Sequence, residues 1–204
     1  MQPVGAGWGL TRIVAMNIHQ LSVTYLPEQD RILVRVNTTA SEEMRLWLTR
    51  RLMLGLWPLL SRLLTEHLLK LEAAGTVLDT ADEALRKMLA DFRREEFLQH
   101  ADFDTPYQDN QALPLGEEPL LVTDVDAAPL PGGQLRLNFN ERPSDAGTPR
   151  SFEMQMEPRL MQGLMHLLEQ ALVQSHWREA FAPPVAVQEN ASADDTNPRP
   201  RYLN

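Results

Sequence analysis

The chain has 204 residues, a formal net charge of -9 and no cysteine. That charge argues against a nucleic-acid partner, which needs a basic surface to displace counterions. The missing thiols exclude cysteine nucleophiles, Cys-ligated zinc, iron–sulfur clusters and disulfides. The length suits one hydrophobic core, so a flexible lead over residues 1–15, a single α+β domain over 16–181 and a disordered tail over 182–204 are expected.

Met1 to Ala15 is rich in small residues and lacks periodicity, and Met16 is a second candidate start of translation. Gly5, Gly7 and Gly9 do not make a dinucleotide loop, because no strand precedes them. No basic stretch followed by an apolar run marks a signal peptide, so a cytoplasmic location is expected. Ile18 to Tyr25 and Arg31 to Asn37 are rich in β-formers, and Pro27 and Asp30 supply turn chemistry between them, which predicts a hairpin.

Glu42 to Glu72 is the longest apolar, helix-favouring run. Leu46, Met53, Trp57, Leu60, Leu64 and Leu71 recur at helical steps, and Leu48, Leu52, Leu56, Leu59 and Leu63 form a second row beside them. Two rows predict a helix touched on more than one side, by a sheet and by a further helix or partner chain. Thr39 with Glu42 fits a capping box, with Ser41 as the rival cap, and Gly75 fits the closing turn. Pro58 predicts a kink, because it lacks the N–H that its turn requires.

Thr80 with Glu83 predicts a second helix, with Leu85, Met88, Leu89, Phe92 and Phe97 as its inner face. An acidic stretch follows: no Lys or Arg stands between Arg94 and Arg136. It reads either as a solvated connector or as a patch for a basic partner or divalent cation. Asp102 and Asp104 do not make a calcium loop, because Pro106 takes the next ligand position. Pro119 to Ala127, Gln134 to Asn140 and Ser151 to Glu157 predict three strands, the last two alternating as in an antiparallel sheet covered on one side. Pro158 opens a final amphipathic helix containing Leu160, Met161, Leu164, Met165, Leu168 and Leu172, with Trp177 at its end.

The expected fold is therefore an antiparallel sheet of about five strands against a long central helix and two further helices. One internal echo stands out: Arg51 to Leu56 and Arg159 to Leu164 share R-L-M-x-G-L, each after a predicted hairpin. Chance is a rival explanation in a Leu- and Met-rich chain, and the two predicted strand-to-echo spacings differ. A physical reading would have Gly55 and Gly163 tolerated because helices cross closely there.

No nucleophile elbow, phosphate-binding Gly loop or zinc-binding H-E-x-x-H occurs, and the five histidines lack metal-ligand spacing. No catalytic residue, metal ligand or cofactor is assigned. The reading is a non-catalytic interaction or assembly module that self-associates through the long helix, with a homodimer expected. Its candidate interface residues are Arg45, Trp47, Arg50, Arg51, Trp57, Arg62 and Trp177. The alternative is an enzyme or small-molecule binder combining central-loop carboxylates with helix Arg or His. A third reading lays the Leu52 to Leu64 face, flanked by Arg51 and Arg62, on anionic lipid; membrane contact is the least favoured.

Overall fold

Alternation of apolar and polar residues shapes both halves of the chain. The computed structural model describes residues 17–73, 83–103, 105–130, 134–142 and 148–178. Within them lies a mixed α+β fold with one four-stranded and one three-stranded sheet and three helices. The expected lead and tail, the Thr80 cap and the Gly75 closing turn fall outside the described residues.

The first sheet begins with the expected hairpin, β1 (Ile18–Leu26) and β2 (Arg31–Thr38). A single 3-10 turn at Pro27–Gln29 joins them, and Asp30 closes it at φ 47. The third strand, β3 (Glu43–Thr49), corrects the sequence reading, which placed these residues in the long helix. Met44, Leu46 and Leu48 alternate with Arg45, Trp47 and Thr49 and face Val36, Val34 and Ile32 across the ladder; all six facing residues are buried. Period two therefore prevails over the helical spacing that the same leucines also satisfy. Helix α1 (Arg50–Ala73) starts only after it. Thr49 Oγ1 accepts the Leu52 N–H at 3.3 Å and does the capping expected of Thr39. The helix runs through Pro58 without interruption.

Helix α2 (Glu83–His100) leads into the acidic segment and then to β4 (Leu120–Leu121), which pairs in parallel with β3. The strand expected over Pro119 to Ala127 is split. Val122 N–H bonds to Trp47 of the first sheet at 3.0 Å, and Thr123 N–H to Asn140 of the second at 2.9 Å. The chain changes sheets between those two residues. The second sheet is the meander β5 (Asp124–Pro129), β6 (Leu135–Glu141) and β7 (Arg150–Met156), followed by α3 (Pro158–Gln174). Two sheets thus replace the single sheet of about five strands, and buried side chains of both join one core cluster.

The two halves are built alike: three antiparallel strands in a meander, then a helix. Met44, Leu46 and Leu48 correspond to Phe152, Met154 and Met156, and all are buried. Counting on into the helices, Met53, Leu56 and Leu60 correspond to Met161, Leu164 and Leu168, again all buried. Arg51 and Arg159 each stand second in their helix, so the R-L-M-x-G-L echo marks equivalent positions. The unequal spacing in the sequence reading arose from starting the first helix too early.

Candidate functional site

Each half's helix lies beside the first strand of the other half. α3 runs along β1, while α1 faces the start of β5 across an open groove of about 610 Å³. Thr49, Leu52, Gly55 and Leu59 of one wall face Leu121 to Val125 of the other. The equivalent place in the second half is a cleft of about 780 Å³ between the start of β1 and Leu160, Gly163 and Leu167 of α3.

The two places differ in what covers them. Phe97 of α2 sits over Gly163, where an added methyl would meet its ring at 3.7 Å; at Gly55 such a methyl would meet nothing within 4 Å. The expectation of a close helix crossing at both glycines is therefore corrected: α2 approaches Gly163, and Gly55 faces open space. Arg94 of α2 forms an ion pair with Glu169 of α3. Phe103, beyond the end of α2, packs on His166 with ring centroids 5.0 Å apart.

The covered copy is the more polar one. On α3 the stripe reads Arg159, Gln162, Gly163, His166 and Leu167; Gln162 is buried and His166 half-buried. Gln162 Oε1 and His166 Nδ1 are buried without a hydrogen-bond partner among the described residues. On α1 the same positions hold Arg51, Leu54, Gly55, Pro58 and Leu59, continuing to Arg62, and all six are exposed. Leu54 is 45% and Leu59 37% exposed. Pro58 has no N–H with which to bond the Leu54 carbonyl, so this stripe also carries a backbone acceptor without its usual helical donor. Apolar groups thus face outward where their counterparts are covered, the reverse of what burial alone selects.

A second apolar strip is exposed on α2. Met88 and Phe92, expected to face inward, are 63% and 61% exposed. They stand one turn apart on an outer face that also carries Asp91 and Glu95, both exposed. Phe97 alone of that predicted face is seen turned inward, since the side chains of Leu85 and Leu89 lie outside the described set.

Of the residues anticipated as an interface, only Arg51 lines the bare groove, and Arg62 stands exposed at the far end of the same stripe of α1. Arg62 also pairs with Glu66 at 3.5 Å. Arg45 is tied to Glu43 at 2.5 Å, and Trp47 is half-buried with the Arg31 guanidinium 6.0 Å from its ring centroid. Arg50 donates to the Trp177 carbonyl at 3.2 Å, and the Arg178 guanidinium lies 4.3 Å over Trp57. Trp177 is buried, not an exposed anchor. Its Nε1–H donates to Asp30 at 2.6 Å, and its ring meets Tyr25 edge-on. The sequence reading missed Leu54 and Pro58, which only a comparison of the two echo helices would have singled out.

Part of the central acidic segment is held against the fold, while Asp102, Glu117, Glu118 and Asp126 are exposed. Residues 106–112 are strapped across the outer face of the first sheet. Glu43 has a fully buried side chain. It accepts hydrogen bonds from Arg45, from the Tyr107 hydroxyl at 3.2 Å and from the Asn110 N–H at 3.3 Å. Arg35 pairs with Asp109 and lies over the Tyr107 ring at 4.2 Å. Burial, and after it the Glu43 carboxylate, push the Tyr107 phenol well above its ordinary value. Downstream, Arg150 donates to the carbonyls of Leu115 and Glu118 at 2.9 and 3.1 Å and to the Glu141 carboxylate, anchoring the turn before β4.

The cleft at α3 brings together ionisable groups of both signs: His19, Asp102, Glu157 and Arg159. Among the described residues no group of three or more His, Asp or Glu is placed to hold a metal ion. No described helix is long and apolar enough to cross a membrane. Comparison of the chain with protein-family models, with curated proteins and with solved structures finds no match.

Proposed function

We propose that this chain is a non-catalytic interaction or assembly module that binds a protein partner through the exposed stripe of α1 and the groove beside β5. The observation that supports this reading most directly is the inverted polarity of the two equivalent stripes. Leu54, Pro58 and Leu59 stay exposed in one half, while Gln162 and His166 are covered in the other. Covering Leu54 and Leu59 would contribute roughly 1 kcal/mol each, since more than half of each is already buried. The flanking Arg51 and Arg62 would set orientation and partner charge more than affinity.

A photo-crosslinking residue at position 54 or 59, introduced in the native cells, tests the reading. Discrete protein adducts at those positions, and none at exposed Glu28 near the β1–β2 turn, are the expected result. An absence of adducts at both stripe positions would sink the proposal.

A second reading has its own support. The cleft at α3 combines Asp102 from the central segment with Arg159 from the helix and with His19, which suits a small ligand carrying charges of both signs. A thermal-shift screen against zwitterionic and anionic small molecules distinguishes it. A ligand that stabilises the native chain but not the Arg159→Ala variant would favour the cleft over the groove.

A further inference from the structure

We propose that the occupant of the bare groove is a second copy of this chain, inserting the outer face of its α2. The inference rests on reading the groove as a protein-binding surface and names what binds there. The same helix already supplies the cover for the equivalent site, through Phe97 seated on Gly163. Its outer face offers the same chemistry to a neighbour: Met88 and Phe92 one turn apart, both largely exposed. At Gly55 the groove has room for such a ring, because nothing lies within 4 Å of where a side chain would begin.

Charge agrees with this occupant. Asp91 and Glu95 are exposed beside Phe92, and the stripe of α1 is bounded by the exposed Arg51 and Arg62. Each copy then carries one apolar groove and one apolar helix face that its own described residues leave open. Reciprocal exchange in a closed two-fold pair covers all four surfaces, whereas a one-way contact would leave one of each exposed at the ends.

The chain has no cysteine of its own, so engineered thiols report the contact cleanly. A Leu54→Cys variant mixed with a Phe92→Cys variant should form a reducible disulfide-linked dimer under mild oxidation, and neither variant alone should do so. Phe92→Glu and Leu54→Glu, both at exposed positions, should each weaken dimerisation by about tenfold or more in sedimentation equilibrium, with unchanged circular dichroism. Bridging of Leu54→Cys to itself would mean the stripe of one α1 meeting that of another and would overturn α2 as the occupant. A strictly monomeric purified chain would overturn the second copy. If position 54 still cross-links to a different protein in cells, the groove reading survives and this inference alone fails; with no adduct of any kind, both fail.

Discussion

The two halves of the molecule share strand order, helix register and buried positions, yet they use the same place on the helix in opposite ways. At Gly163 Phe97 and Phe103 partly cover the cleft, the first on Gly163 itself and the second on His166. At Gly55 the fold leaves Leu54, Pro58 and Leu59 uncovered. Among the described residues Gln162 Oε1 and His166 Nδ1 of α3 are buried without hydrogen-bond partners, and the first half has one such atom, Asn37 Oδ1, on its sheet and none on the stripe of α1. Duplication of a unit thus does not duplicate its surface: α2, which lies between the two units in the chain, lines one groove and, among the described residues, not the other.

The comparison can be broken most severely at the third strands. Glu43 and Ser151 occupy equivalent buried positions, but Glu43 alone holds a strap. Glu43→Ala should cost about 3 kcal/mol in urea unfolding, the low end for breaking a buried pair because Arg45 remains partly in water. Ser151→Ala should cost about 1 kcal/mol or less. Equal losses at the two positions would mean that the strap contributes nothing.

Methionine truncation tests whether the halves share one core. Met53→Ala and Met161→Ala should each destabilise by about 2–5 kcal/mol and lower a single, shared unfolding transition. Two separated transitions in calorimetry would show that the halves melt independently.

The glycines sharpen the contrast. Gly55→Ala should stabilise the isolated chain by up to about 1 kcal/mol, since the helix gains propensity and the methyl meets no neighbour. Gly163→Ala should gain at least as much, because at 3.7 Å the methyl makes ordinary van der Waals contact with the Phe97 ring as well as adding helix propensity. Thermal denaturation of both variants decides the order.

The smallest effect is confined to alkaline solution. Tyr107 keeps its proton in the folded state above the ordinary phenol value of 10.0, so its contribution is fully present below that value. It is lost progressively as pH rises beyond it, because the unfolded chain then releases the proton first. Tyr107→Phe should flatten the decline of stability with pH above 10.0 relative to the native chain.

Much of the local structure was legible from the residues. Alternation at Ile32, Val34 and Val36, and again at Phe152, Met154 and Met156, identified strands. Pro158 identified the start of α3. Glu43 to Thr49 was misread because Met44, Leu46 and Leu48 are compatible with a strand by themselves and with a helix when joined to the leucines after Arg50. α2 was read with Met88 and Phe92 inward, since an amphipathic stripe says which residues share a face and nothing about what that face meets.

What the chain determined by itself was periodicity: which segments extend, which coil, and which side chains line up along each. Whether a lined-up face is covered was decided only when distant segments met, as Phe97 met Gly163 and no described segment met Gly55. The reason is physical. Periodicity is a property of neighbours a few residues apart, whereas burial depends on which surfaces the whole fold brings within contact distance.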